Sequence, residues 1–487
     1  MNGPNPYFLA AFVLYVILLM AIAVWAARRT KTVMDFWVFG QKMGPVLATW
    51  SLIANFVSSV SVIGFTGAVY ASGYSLMTHT ILGLMLGVSG LYFVVGLVRR
   101  LNVLTFPDLV ARVTGRQAAR PLAGSVLLLS GWLYLVMQLV GAGLLVTAIT
   151  GVPYQYMVWI IGIVFILYTA VGGLVSVAWT DLVQGVIMVA SVVVALAYML
   201  VDLGGLTEIN TRFAEMNPAF VDPTGGGQLS WLVIGATFLA FFGTLFTEQD
   251  MLIRIAATKD VRTAKIHLAA SGAILSVFYS LLILLGGATA VALVGSGMGV
   301  DNPDAAFPTL ITQYVPTWIG VALVLGVMSA ILSTTDTRLH AIGMTVARDI
   351  YSYFRPNVSD AHLMRVSRTA TVLLGLLATA AAMNPPGTII VLYGFRAVLL
   401  TSAFLIPVYV AIYWTALDGR AVLAAIIAGA VVGLGAQITG GSIGPVPATF
   451  CGVGAAVALL LLSHWVLGSR RKQEVALATV AADEGVS

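Results

Sequence analysis

Long runs of apolar residues, separated by short polar stretches, follow one another along almost the entire chain. A helix that spans a bilayer needs about 20 such residues, and thirteen segments approach or exceed that length. They are 7–27, 44–70, 76–98, 121–150, 154–175, 180–202, 229–257, 265–296, 317–347, 366–384, 388–414, 420–438 and 444–467. The pattern predicts an all-α polytopic membrane protein with about 13 spans. Its least defined boundary is at 175–180, where two segments nearly touch.

The composition supports this prediction, because 60% of the 487 residues are hydrophobic and 9% are charged, whereas about 25% are charged in soluble proteins. The formal net charge of +5 does not indicate nucleic-acid binding, since the basic residues fall in short loops. The single cysteine, Cys451, excludes an intrachain disulfide and offers no soft-metal ligand set. The first apolar run lacks a basic leader and an obvious cleavage site, so we expect a retained helix.

Lys and Arg concentrate in alternate loops, and such a bias sets the orientation of membrane helices. The basic loops lie at 28–42, 99–120, 259–265, 348–365 and 470–472. An N-terminus outside and a C-terminus inside satisfies every loop only if the number of spans is odd, which favours thirteen over twelve. The polar tail at 471–487 is then cytoplasmic, and it is too short for a soluble signalling domain.

Two of the predicted spans contain polar interruptions, at 51–61 and at 242–250. Ser, Asn and Gly tolerate local unwinding, and breaks at matching places in two halves point to a transporter binding site. Ordinary kinked helices would give the same pattern, and the halves lack convincing residue similarity. The predicted transmembrane domain, 1–470, divides into an extra helix at 7–27, a repeat at 44–202, a second, inverted repeat at 229–414, and two extra helices at 420–467.

The ninth span carries a polar run with a helical period. Ala330, Ser333, Thr334 and Thr337 fall at i, i+3, i+4 and i+7, on one face of a helix. Oxygen ligands in that arrangement suit a small hard cation. The hydroxyls could instead bond to their own helix and aid packing, but Asp336 in the same run favours a functional site, since acids are costly in hydrocarbon.

Four stretches of the chain together resemble the sodium:solute symporter family, which includes proline, sugar, pantothenate, sialic-acid and acetate symporters. They are 172–184, with its Gly-Gly, Trp-Thr-Asp and Gln; 330–337 with 347–351; 44–68; and 249–254. The resemblance covers about 5–470. It implies thirteen spans around a leucine-transporter-like five-plus-five core, and a sodium-coupled symporter rather than an enzyme. It also implies no cofactor besides the coupling ion, a bacterial plasma-membrane location and, we expect, a functional monomer.

The resemblance also implies a principal sodium site between the second and ninth spans. In this sequence its ligands would be the carbonyls of Ala54, Val57 and Ala330 and the hydroxyls of Ser333 and Thr334. All five positions are chemically intact. Neutral oxygens of this kind would hold the ion weakly enough to release it.

Some family members hold a second sodium. The corresponding residues here would be Asp181, Ser333, Asp336 and Thr337. The sequence departs from the family at Arg338, where relatives often have Gln. Arg338 could pair with Asp336 or Asp181 and fill the space with a salt bridge, so both alternatives stay open.

Arg396 is the most informative residue for the solute. It lies about eight residues, roughly 12 Å, from the outer end of its span, and Leu392, Tyr393, Leu399 and Leu400 occupy the i±3 and i±4 places. It therefore needs a partner on another span or an anionic ligand, and its guanidinium matches a carboxylate. A gate-forming or snorkelling role is the alternative.

Further solute-binding candidates are the intramembrane amide Gln138 and Gly243, Thr244 and Thr247 at the second break, with Tyr134, Trp179 and Phe246 as possible lining aromatics. The stretch 134–143 is similar to the acetate and monocarboxylate branch of the family, and with Arg396 this resemblance implies a small carboxylate, such as a short monocarboxylate. The alternatives are a sugar-like uncharged solute, proline or pantothenate, and more remotely a sensor or channel. The expected partners are the solute, Na⁺ and lipid, with no nucleic acid.

Overall fold

The computed structural model describes residues 6–28, 32–100, 103–414 and 416–467. The predicted tail at 471–487 lies outside this part of the chain, as do the basic residues Arg29 and Lys31. The helices are α1 (Pro6–Ala27), α2 (Val33–Val38), α3 (Pro45–Phe56), α4 (Val60–Ser72), α5 (Tyr74–Arg100), α6 (Phe106–Thr114), α7 (Ala119–Thr150), α8 (Tyr154–Asp202), α9 (Leu206–Met216), α10 (Trp231–Thr247), α11 (Gln249–Ala257), α12 (Val261–Gly295), α13 (Ala306–Thr309), α14 (Thr317–Phe354), α15 (Asp360–Ala382), α16 (Ile389–Tyr413), α17 (Gly419–Ile438) and α18 (Ala448–Leu467).

Polar side chains fix where several of these helices begin. Thr105, Ser230, Asp260 and Ser359 each precede a helix and accept a hydrogen bond from the backbone N–H three residues later. Such caps satisfy donors that the first turn of a helix leaves unpaired. A two-stranded antiparallel pair, β1 (Ser442–Ile443) with β2 (Val446–Pro447), joins α17 to α18.

The described residues contain ten helices that are long and apolar enough to cross a bilayer, and two bent helix pairs raise this number to twelve. The all-α polytopic prediction is therefore confirmed. Helix α8 has 49 residues, about 74 Å at 1.5 Å per residue, against a hydrocarbon core of about 30 Å. It covers both predicted spans, 154–175 and 180–202, and stays helical through 175–180. The count of thirteen and the orientation remain predictions.

Both predicted helix breaks are present. Helices α3 and α4 meet at a bend of 51°, and α10 and α11 at a bend of 41°. The first break contains Val57 in an extended conformation, and the second consists of the single extended residue Glu248. Unwinding at these points frees backbone carbonyls and N–H groups that a continuous helix would pair.

Gln138 on α7 helps to hold the first break open. Its side-chain oxygen accepts a hydrogen bond from the backbone N–H of Ser59, at 3.1 Å. The Ser61 hydroxyl oxygen likewise accepts a hydrogen bond from the backbone N–H of Ser58, at 3.3 Å. The predicted solute-binding amide thus satisfies backbone that the break would otherwise leave unpaired.

Helix α14 lies at the centre of the molecule. It packs against α3, α7, α8 and α15, and every residue from 326 to 344 is buried. A helix that is buried all round belongs to the interior of a bundle. The polar run of the ninth span therefore faces protein on every side.

Candidate functional site

The first break packs directly against the polar face of α14. The Ser333 hydroxyl oxygen lies 2.8 Å from the carbonyl oxygen of Ala54 and 3.2 Å from that of Ala330. The Thr334 hydroxyl oxygen lies 2.8 Å from the carbonyl oxygens of both Val57 and Ala330. All five oxygens predicted for the principal sodium site therefore come together.

The convergence depends on the extended conformation of Val57, because that conformation turns carbonyls of the break towards α14. The carbonyl oxygen of Asn55, which was not among the predicted ligands, lies 3.1 Å from the Thr334 hydroxyl oxygen. Ala54, Val57 and Ser333 are fully buried. These ligands are hard, neutral oxygens, a set that suits an alkali cation.

The residues predicted for a second sodium do not form a comparable set. Arg254 of α11 donates from one nitrogen to Asp181, at 3.0 Å, and to Thr337, at 2.9 Å. Asp336 instead accepts a hydrogen bond from Thr169, at 2.7 Å. A guanidinium thus lies between two of the predicted ligands.

Arg338 has acid partners other than Asp336 and Asp181, which the sequence left open as alternatives. It binds Glu248 at 2.6 Å and Asp250 at 2.7 Å. The physical reason is helical geometry, since residues two positions apart, such as 336 and 338, do not face each other. The side chain points instead to the second break, which presents both acids.

Arg396 has its partner on another span, the first of the two alternatives that its sequence context left open. Its guanidinium pairs with Glu248 and lies 4.7 Å from the ring centre of Tyr134 and 5.5 Å from that of Tyr393. The residue is 1% exposed. Arg396 therefore packs against the rings of Tyr134 and Tyr393, and Glu248 compensates its charge.

A small cavity of about 20 Å³ lies between the two breaks, enough for roughly one water molecule. Its polar lining is Asn55, Ser58, Ser61, Tyr134, Glu248, Tyr279, Arg338 and Tyr393. Small-molecule sites usually measure about 300–1,000 Å³. This cavity must therefore widen before it can hold an organic solute.

Gly243, Thr244 and Thr247 do not line this cavity, contrary to the sequence prediction. The Thr244 hydroxyl donates to the carbonyl of Ala240 in its own helix, at 2.8 Å, and Thr247 bonds to its own helix in the same way. A side chain at Gly243 would collide with Thr401 of α16. These three residues serve the packing of α10.

Sequence reasoning missed the charged residues at and just after the second break, of which Glu248 lines the cavity. Glu248 and Asp250 lie in the stretch recognised as a break but received no role, and Arg254 follows them by one helical turn. Asn55 donates a hydrogen bond to Asp250 from the opposite break. Acidic residues inside an apolar segment mark function by default, so Glu248 and Asp250 could have been identified from the sequence.

Comparison with known proteins identifies the same family that the sequence motifs resemble. A family model described as "Sodium:solute symporter family" matches residues 36–429. The sodium/pantothenate symporter of Escherichia coli is 28% identical and aligns over 86% of this chain and 88% of its own. The osmoregulated proline transporter OpuE of Bacillus subtilis is 26% identical over 86% of each chain.

Solved structures show the same fold. A substrate-bound, outward-open Na⁺-coupled sialic acid symporter superimposes with a TM-score of 0.81 at 20% identity. The match covers 96% of this chain and 99% of that one. The closed form of Mhp1, a nucleobase-cation symporter, matches with a TM-score of 0.51 at 16% identity.

Proposed function

Because the chain belongs to the sodium:solute symporter family, we propose that it imports a small organic carboxylate together with Na⁺. The family consists of secondary transporters of the plasma membrane, so the chain is a Na⁺-coupled solute symporter and not an enzyme. The identity of the solute, its site and the ion stoichiometry belong to the proposal.

Na⁺ binds among the carbonyls of Ala54, Val57 and Ala330 and the hydroxyls of Ser333 and Thr334. The support is their convergence within hydrogen-bond distances of one another. An ion there connects the break between α3 and α4 to α14, and orders the break that also borders the solute cavity. Release stays feasible because the ligands carry no net charge.

One Na⁺ accompanies each solute. Asp181 is the acid that a second ion would need, and Arg254 already provides it with a cation at 3.0 Å. Both side chains are fully buried, where an ion pair is strong and an unpaired carboxylate is costly. A tethered guanidinium therefore takes the place that a second Na⁺ would have.

Arg338 binds the solute carboxylate. The observation that carries this proposal is that the side chain of Arg338 lines the cavity, whereas that of Arg396 does not. The Arg338 guanidinium lies 4.3 Å from the centre of the Tyr134 ring. The two guanidiniums are balanced by Glu248 and Asp250. A solute anion that enters with one Na⁺ preserves that balance.

The named substrates of the relatives share this chemistry, since proline, pantothenate and sialic acid all carry a carboxylate. In our proposal the solute carboxylate competes with Glu248 for Arg338, while Glu248 keeps its second partner, Arg396. This exchange loosens the contact between the second break and α14. Closure over the solute and alternating access follow from that change.

An uncharged solute is the second candidate. It is favoured by the fact that both guanidiniums already have carboxylate partners. In that case Arg338 and Arg396 would only hold the second break in place.

The test compares acids with their carboxamides. Thermal stability of the purified protein is measured in Na⁺ and in choline with lactate, proline and pantothenate, each beside its amide, since a ligand of the folded state raises stability. At least one acid should stabilise the protein in Na⁺, and its amide should not. An amide that matches its acid would favour the uncharged solute.

Arg338→Gln should weaken binding of the active acid by roughly 10- to 100-fold, because a hydrogen bond to a charged group contributes about 1.5–3 kcal/mol. Na⁺ binding without solute should stay the same. Arg355→Gln, an exposed Arg at the end of α14, is the matched control and should leave both affinities unchanged. Wild-type affinity in Arg338→Gln would contradict the assignment.

A further inference from the structure

The cavity wall contains a buried hydrogen-bond acceptor without a protein donor. Asn55 is 1% exposed and lines the cavity. Its side-chain nitrogen donates to Asp250, which fixes the orientation of the amide, since a carboxylate only accepts. Within the described part of the chain, its Oδ1 atom receives no hydrogen bond. Buried polar atoms normally have partners, so this atom needs an explanation.

The hydroxyls of the same wall differ from Asn55 in this respect. Ser61 and Tyr279 are hydrogen-bonded to each other at 2.6 Å, and Tyr134 donates to Ser58 at 2.9 Å. These groups satisfy one another and make no demand on a solute. Of the side chains of Asn55, Ser58, Ser61, Tyr134 and Tyr279, only that of Asn55 holds a buried polar atom without a hydrogen-bond partner in the described part of the chain.

We propose that Asn55 Oδ1 accepts a hydrogen bond from the transported solute, which therefore carries a hydroxyl or ammonium group close to its carboxylate. This inference rests on the proposed function, in which Arg338 binds the carboxylate. It narrows the solute class to hydroxy acids and amino acids, and excludes plain short-chain acids.

The position of the donor on the solute follows from Asp250. Arg338 binds one oxygen of this carboxylate at 2.7 Å, and Asn55 donates to the other. The guanidinium and the amide are thus held side by side by a single carboxylate. A solute that reaches both must carry its donor on the carbon next to the carboxyl group or one carbon further.

Acids without such a donor leave the Asn55 oxygen unpaired in the bound state. Propionate places a methylene group against it, and pyruvate places a second acceptor against it. A site built to hydrogen-bond a substrate hydroxyl or amine rejects analogues that lack the group, because its own polar atom is then buried without a partner. Acetate, propionate and pyruvate are therefore poor solutes in this proposal.

Net charge distinguishes the two solute classes that remain, hydroxy acids and amino acids. Arg338 and Glu248 line the cavity, and they belong to an ion-pair network with Asp250 and Arg396 that holds two positive and two negative charges. A hydroxy acid that enters with one Na⁺ adds no net charge, whereas a zwitterionic amino acid with Na⁺ adds one positive charge. Either donor satisfies Asn55, and the experiment includes both.

The test uses wild-type protein in Na⁺ and matched pairs of acids with and without the donor. The pairs are lactate with propionate, lactate with pyruvate, alanine with propionate, and proline with cyclopentanecarboxylate, and affinities come from thermal shift or calorimetric titration. In at least one pair the donor-bearing acid should bind at least tenfold more tightly. Equal binding within every pair, or no binding by any donor-bearing acid, would overturn the inference.

Lactamide separates this inference from the proposed function. If lactate and propionate bind equally and both exceed lactamide, the carboxylate site stands and the donor preference is wrong. If lactamide matches lactate while propionate does not bind, the donor preference stands and the carboxylate site is wrong.

Asn55→Leu removes the acceptor and should lower the affinity for the donor-bearing acid to that of its donor-free partner. Because the variant also loses the hydrogen bond to Asp250, the readout is the ratio of the two affinities within each pair and not either affinity alone. Asn210→Leu on α9 makes the same chemical change outside the cavity and should keep the tenfold preference. If Asn55→Leu does not fold, the wild-type pairs still decide the question.

Discussion

Two buried polar clusters lie one helical turn apart on α14. They differ in charge, because one consists of neutral groups and the other contains an ion pair. The first is made of neutral oxygens around Ser333 and Thr334. The second contains Thr337 beside the ion pair of Asp181 and Arg254. The first suits an ion that comes and goes, while in the second the protein supplies its own permanent cation.

The difference follows from charge. Backbone carbonyls freed by a helix break can coordinate a cation, but a hydrogen bond satisfies them equally well when no cation is bound, because each carbonyl is a neutral dipole. A buried carboxylate such as Asp181 does need one, because an unpaired charge in a low-dielectric interior is strongly unfavourable. A guanidinium fixed on α11 is always present, so we expect dissolved Na⁺ to compete poorly with it.

The largest expected effect comes from removing that fixed cation. Arg254→Gln leaves the Asp181 carboxylate buried without its partner, which should lower the free energy of unfolding by about 3–5 kcal/mol. Denaturant unfolding in detergent measures the change. The double variant Arg254→Gln, Asp181→Asn is neutral and should recover most of it. If the single variant is as stable as wild type, the contrast between the clusters fails.

A smaller effect is expected at the neutral cluster. Ser333→Ala and Thr334→Ala each remove one ligand and should raise the Na⁺ concentration for half-maximal uptake by roughly 10- to 100-fold, measured in proteoliposomes. Thr335→Ala is the matched control, since within the described residues that hydroxyl donates to the carbonyl of Ile331 in its own helix, at 2.6 Å, and to no other group. Uptake that is equal in choline and Na⁺ would contradict the ion coupling itself.

The smallest expected effect is no change at all in the coupling ratio. The solute gradient that balances an imposed Na⁺ gradient in proteoliposomes, at zero net flux and zero membrane potential, should give one Na⁺ per solute for the wild type. The double variant Arg254→Gln, Asp181→Asn should keep that ratio, because neither residue holds a transported ion. A wild-type ratio of two would show that a second Na⁺ binds despite Arg254.

Local pattern was enough to predict much of the fold. Apolar segment length predicted the helices, and polar interruptions within two apolar segments predicted both breaks. The boundary at 175–180 was less well predicted, since hydropathy does not report whether a helix continues through a short polar stretch. The five oxygens near α14 could be named in advance because helical periodicity and the family resemblance pointed to the same residues.

The partners of the charged residues could not be predicted in this way. Arg338 lies two residues from Asp336 but pairs with Glu248, 90 residues away in sequence, and Arg254 pairs with Asp181 across 73 residues. Each arginine had several acids within the membrane as possible partners. For the same reason the sequence could not identify Glu248 as the partner of Arg396 on another span.

The sequence by itself determined the membrane class, the approximate positions of the helices, the two breaks and the chemistry of the neutral cation ligands. These features depend on residues close together in the chain, where period and composition fix the outcome. Only the tertiary structure decided which acid meets which arginine, and which side chains line the cavity. Such pairings depend on how distant helices pack, and a buried charge accepts whichever partner the packing brings within reach.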